Sequence, residues 1–73
     1  MTGYYINRNE QPNGDYEVHL YGCSHGALPK NQIDLGMFNN GVEAVAEAKR
    51  RFPGSASHIN GCAYCNPEAN TDR

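Results

Sequence analysis

Apolar and β-branched residues alternate along the first third of the chain and then shift to helical spacing. Tyr4-Tyr5-Ile6-Asn7-Arg8 is aromatic and β-branched and predicts a first strand. Gln11-Pro12-Asn13-Gly14-Asp15 carries Pro and then Asn-Gly, a strong turn signal. In Tyr16-Glu17-Val18-His19-Leu20-Tyr21, one face collects Tyr16, Val18 and Leu20, and the other Glu17, His19 and Tyr21. The pair reads as a β-hairpin with His19 pointing away from the more apolar side.

Residues 22–32 hold two Gly and a Pro and predict a loop that carries Cys23 off the strand end. Ile33-Asp34-Leu35-Gly36-Met37-Phe38 predicts a short third strand, weakened by its glycine. Asn39-Asn40-Gly41 follows, with Asn a good N-cap. Val42, Val45, Ala46, Lys49 and Phe52 then recur at helical spacing and make one stripe. Glu43 and Glu47 early, and Lys49-Arg50-Arg51 late, suit the helix dipole, and Pro53-Gly54 ends the element. Residues 54–61 read as loop, and Cys62-Ala63-Tyr64-Cys65 as a tight knuckle closed by Asn66-Pro67. The expectation is a small α+β domain over residues 1–67: a β-hairpin plus a short third strand, one helix and a C-terminal Cys-x2-Cys knuckle. Residues 68–73 are polar and read as a flexible tail.

Length changes this picture. A chain of 73 residues makes one domain at most, and one this short buries only about 60% of the surface its unfolded form exposes. Leu, Ile, Val and Phe number 3, 3, 3 and 2 and Trp is absent, so the core is thin and needs a staple. Three cysteines cannot all pair within one chain, which argues against a disulfide framework. Thiolates on a metal accommodate the odd count, with one His completing a tetrahedral set in a reducing cytoplasm.

The candidate ligands form two pairs, His19-x3-Cys23 and Cys62-x2-Cys65, separated by 38 residues. One structural Zn²⁺ bound by three thiolates and a neutral imidazole would tie the hairpin to the C-terminal segment and carry a charge of about −1. His58-x3-Cys62 repeats the first spacing, and His25 lies two residues beyond Cys23, so either can compete with His19 for the fourth position. The alternatives are three small buried thiols with an ordinary strand histidine, or a Cys-x2-Cys redox pair. The redox pair needs the motif to open a helix in a βαβ unit, whereas here Gly61 and Pro67 bracket a loop.

With those residues in place, the chain resembles the Ada-like zinc-binding domains, including the N-terminal domain of the methylphosphotriester DNA repair protein. The match lies in His19-x3-Cys23, Leu35-Gly36-Met37-Phe38, Glu43-Ala44-Val45-Ala46-Glu47-Ala48 and Gly61-Cys62-x2-Cys65-Asn66-Pro67, about residues 16–67. A closer likeness is to small bacterial proteins that begin with an Asn-rich Tyr-Tyr-Ile-Asn hairpin and imply no transferable activity. The Ada likeness implies the fold and one zinc. In that family the first cysteine accepts a methyl group from a DNA phosphotriester; His19 stands there, and imidazole does not supply that nucleophile.

Charge narrows the partners. Six Lys+Arg against eight Asp+Glu leaves a net charge of −2, without the basic stripe of a nonspecific nucleic-acid binder. Lys49-Arg50-Arg51 is the one positive cluster and the candidate phosphate contact of an alternative, nucleic-acid-binding reading, which stacking by Tyr4, Tyr5, Tyr16 and Tyr21 would support. No stretch approaches the roughly 20 apolar residues of a membrane span. A zinc enzyme with Glu17 as base requires an open coordination position, hence a site without His19. The function expected is therefore a zinc-dependent interaction or regulatory module with a protein partner and no catalysis of its own.

Overall fold

The computed structural model describes residues 1–71. Four strands and one helix alternate with short 3₁₀ turns: β1 Thr2–Asn7, β2 Tyr16–Leu20, β3 Gln32–Phe38, α1 Gly41–Arg51 and β4 Ile59–Gly61. The strands form one sheet in the order β3-β1-β2-β4. The expected hairpin pairs Tyr4 with Leu20, Tyr5 with His19 and Ile6 with Val18. Its connection closes with Gly14 at φ +89° and the Asn13 carboxamide accepting from the Asp15 N–H at 2.9 Å. The α+β architecture is the one the sequence pattern predicts.

The fourth strand is not. Residues 54–61, expected as loop, form a 3₁₀ turn over Pro53–His58 and then β4, which pairs parallel to β2 with Ile59 opposite Tyr16 and Gly61 opposite Val18. Three residues are too few to show an alternation, and Asn60-Gly61 reads locally as a turn. The pairing is stabilised from elsewhere. Ile59 buries its side chain in the core, and the Asn60 amide oxygen accepts from the N–H groups of Gly61 and Thr71. Residues 68–71, read from the sequence as the start of a free tail, are tied down: Pro67–Ala69 makes a 3₁₀ turn and the Asn70 amide donates to the Gly61 carbonyl at 2.7 Å. Asp72 and Arg73 lie outside the described residues.

Gly36 proves to be a device rather than a weakness. Tyr4 pairs with Gly36 but Tyr5 with Asp34, so Leu35 is the extra residue of a β-bulge, and Gly36 turns the chain at φ +97°. The bulge sends Leu35 into the core beside Tyr4, Ile6, Val18 and Ile59, and leaves Asp34 to accept the Tyr21 hydroxyl at 2.7 Å. Arg51 closes it by donating to the Asp34 and Leu35 carbonyls at 2.9 and 3.1 Å.

Helix α1 starts as its sequence suggests. Asn40 caps it by accepting from the Glu43 N–H at 3.0 Å, and Glu43 reaches back to the Asn39 N–H. Its buried face differs from the predicted stripe. Gly41, Ala44, Val45 and Ala48 are buried, while Val42 is 53% exposed and Ala46 also faces out. The small residues win because they let the helix lie close on a sheet face already filled by Tyr4 and Leu35. Gly41 shows how close: a Cβ there would overlap the Asn66 amide oxygen and crowd the Glu68 carboxylate. Helix propensity alone favours Ala over Gly by about 1 kcal/mol. Gly41→Ala is nevertheless expected to destabilise the domain by about 1–3 kcal/mol, the usual cost of overpacking. Denaturant unfolding checks the sign, and a stabilised variant contradicts this packing.

Candidate metal centre

The sheet face opposite the helix carries the polar chemistry. His19 alternates with Val18 and is fully buried there, stacked on its cross-strand partner Tyr5 with ring centroids 5.3 Å apart. Tyr5 is covered in turn by the segment after β2, whose Ala27 N–H donates to the Tyr5 hydroxyl at 2.9 Å. That segment leaves β2 through a tight turn in which Cys23 N–H bonds the Leu20 carbonyl at 3.2 Å, with Gly22 at φ +88°. A positive φ at the third position of such a turn is glycine's natural role. The turn brings Cys23 back under the strand end, next to His19.

The other two thiols arrive from β4. Its parallel pairing continues as the Cys62 N–H bonds the Val18 carbonyl at 3.0 Å, and the knuckle then closes with the Asn66 N–H on the Cys62 carbonyl at 2.9 Å. Two backbone amides point at sulfur: Tyr64 N–H at Cys62 Sγ, 3.4 Å, and Leu20 N–H at Cys65 Sγ, 3.3 Å. Such amides stabilise thiolate charge.

One ligand atom from each of His19, Cys23, Cys62 and Cys65 lies within 4.8 Å of all the others. Cys23 Sγ and Cys62 Sγ are 4.0 Å apart, and His19 Nδ1 is 3.8 Å from Cys65 Sγ. A tetrahedral ion with metal–sulfur bonds of about 2.3 Å spans edges of about 3.8 Å. All three cysteines are free thiols. The donor set therefore fits a metal in number, type and spacing, and these four residues can hold one.

Burial dominates the protonation of these groups. Burial, and secondarily His25, pulls the His19 imidazole below its ordinary range, so it is neutral and able to ligate. Burial pushes the Cys65 thiol up to about 12; the Leu20 N–H opposes this, and the neighbouring Cys23 and Cys62 add to it. Without a cation nearby, that sulfur holds its proton. Glu17, half-buried on the same strand face, is raised by burial and then by Asp15, with His25 opposing.

The other candidates fall outside the cluster. His58 is exposed on the turn before β4, and His25 is exposed and stacked on Tyr64 at 3.7 Å between centroids. At the end of α1, Arg50 and Arg51 both turn to Glu47, with contacts of 2.6 Å, and hold its carboxyl down at about 2. Arg51 is further committed to the bulge carbonyls, while Lys49 is exposed. Two residues that shape the centre carry no motif: Tyr5, which backs the His19 ring, and Leu20, whose amide meets Cys65. Cross-strand register brings both there, and the alternation in β1 and β2 is the only signal for it. Among the described residues no helix is long and apolar enough to cross a membrane. No protein-family model, no curated protein and no solved structure matches the chain.

Proposed function

We propose that this chain is a small zinc domain of the Ada-like kind, with a structural ion held by His19, Cys23, Cys62 and Cys65, serving as an interaction or regulatory module without catalysis. The observation that carries this reading is the convergence of four ligand atoms, from β2, its following turn and the C-terminal knuckle, to within 4.8 Å. A soft set of three thiolates and one imidazole at tetrahedral spacing suits zinc over the oxygen-seeking cations. A bound ion would cross-link the two ends of the chain and neutralise most of the thiolate charge. His19 supplies the fourth donor from a fully buried position. With four protein ligands no position remains for water, which supports a structural role over hydrolysis. His19 at the place of the methyl-accepting cysteine supports the same separation from repair chemistry. A protein partner fits the net charge of −2 better than a polyanion does.

Cobalt substitution tests the coordination. Co²⁺ added to the reduced protein is expected to give intense sulfur-to-metal charge-transfer absorption and tetrahedral d–d bands at one equivalent. The weak absorption of octahedral Co²⁺ would rule out the proposed set.

A further inference from the structure

Both ring nitrogens of His19 are buried, and they face different chemistry. Nδ1 faces the sulfurs, 3.8 Å from Cys65 Sγ. Nε2 has no hydrogen-bond partner, and the nearest ionisable oxygen is Glu17 Oε1 at 3.6 Å. If Nδ1 gives its lone pair to a metal, Nε2 must carry the ring proton. A buried N–H left without an acceptor bears the full penalty of its lost hydration. Turning the ring over does not help, because it would present carbon atoms to both the sulfurs and the carboxylate. Stacking against Tyr5 also limits rotation.

The geometry points to Glu17 as the positioning residue of this metal centre: its carboxylate accepts the His19 Nε2–H and so fixes the tautomer that offers Nδ1 to the ion. Glu17 and His19 are i and i+2 on β2 and therefore share a face. Among the described residues no hydrogen bond engages the Glu17 side chain, which is 24% exposed, and a small torsional change closes 3.6 Å to the roughly 2.8 Å of a charge-assisted bond. An ordinary solvated strand glutamate does not lie against the one unpartnered nitrogen of a buried ring. Carboxylates that hold ligating histidines in this way typically contribute about 10–100-fold in metal affinity. The inference rests on the metal-centre reading proposed above.

The test uses the full chain with Zn²⁺ in competition with a chromophoric chelator, for wild type, Glu17→Gln and Glu17→Ala. Long-range ¹H–¹⁵N correlation of the His19 ring is recorded on each. Glu17→Ala is expected to bind about 10–100-fold more weakly. Glu17→Gln keeps an acceptor oxygen and should fall between the two. The spectra should show a protonated Nε2 and a metal-bound Nδ1, with the Nε2 proton exchanging faster in Glu17→Ala than in wild type or Glu17→Gln. A merely structural role for Glu17 would not order the exchange rates in that way. Zinc bound with equal affinity by all three proteins, or bound through Nε2, overturns the role of Glu17 alone. A wild-type protein that binds no zinc overturns the metal centre with it.

Discussion

Cys65→Ser is expected to abolish the folded state under conditions where His58→Ala leaves it intact. Cys65 Sγ is at once a candidate ligand, the acceptor of the Leu20 N–H, and the 3.8 Å neighbour of His19 Nδ1. Apparent binding energies of structural zinc run to about 10–16 kcal/mol near neutral pH, whereas whole domains are stable by only about 5–15 kcal/mol. Among the described residues the core cluster is eight buried residues around Tyr4, Leu35 and Ala48, too few to offset a lost clamp. Serine is nearly isosteric but does not supply a thiolate, so the loss should exceed any packing effect. His58 is exposed and is not among the four residues whose ligand atoms converge. Amide-proton dispersion and far-UV circular dichroism on the two variants read the difference. Equal losses would mean that His58, and not the buried histidine, completes the site.

Acidification is expected to release the metal and unfold the domain, with affinity falling at least tenfold per pH unit below neutrality. The sign follows from the proton balance. At neutral pH the Cys65 thiol is protonated without metal, whether at its ordinary value of 9.0 in the unfolded chain or pushed up to about 12 where the site is buried, so an incoming ion must displace the proton. Each proton displaced makes affinity rise tenfold per pH unit. The His19 imidazole, lowered by burial, adds no proton at neutral pH and begins to compete only at acid pH. Zinc titrations at stepped pH, followed by circular dichroism, check the slope. An affinity independent of pH would exclude thiolate ligation.

The parts of the fold carried by local pattern were legible in the sequence. Alternation around Val18 gave the hairpin and the correct side for His19, and Asn40 marked the helix start. The odd cysteine count and the two short spacings pointed to the three thiols and favoured His19 over His25 and His58, because Cys-x2-Cys and His-x3-Cys need only a turn each to converge, and these four side chains do come together. What the sequence did not reveal depends on contacts distant along the chain. β4 exists because Ile59 has a place in the core beside Val18 and because Thr71 and Asn70 hold Asn60 and Gly61. The helix face rotated from the Val42 stripe because Ala44 and Ala48 allow close approach. Arg51, attractive as a free cation, is drawn to carbonyls exposed by a bulge that only the β1–β3 register creates.

A metal bridging β2 and the knuckle is expected to hold this domain together. Native mass spectrometry of the reduced protein, paired with a thermal melt before and after a strong chelator, should find one zinc per chain and a cooperative transition that disappears on chelation and returns with Zn²⁺. A mass equal to the metal-free chain, with the melt unchanged by chelator, would contradict it.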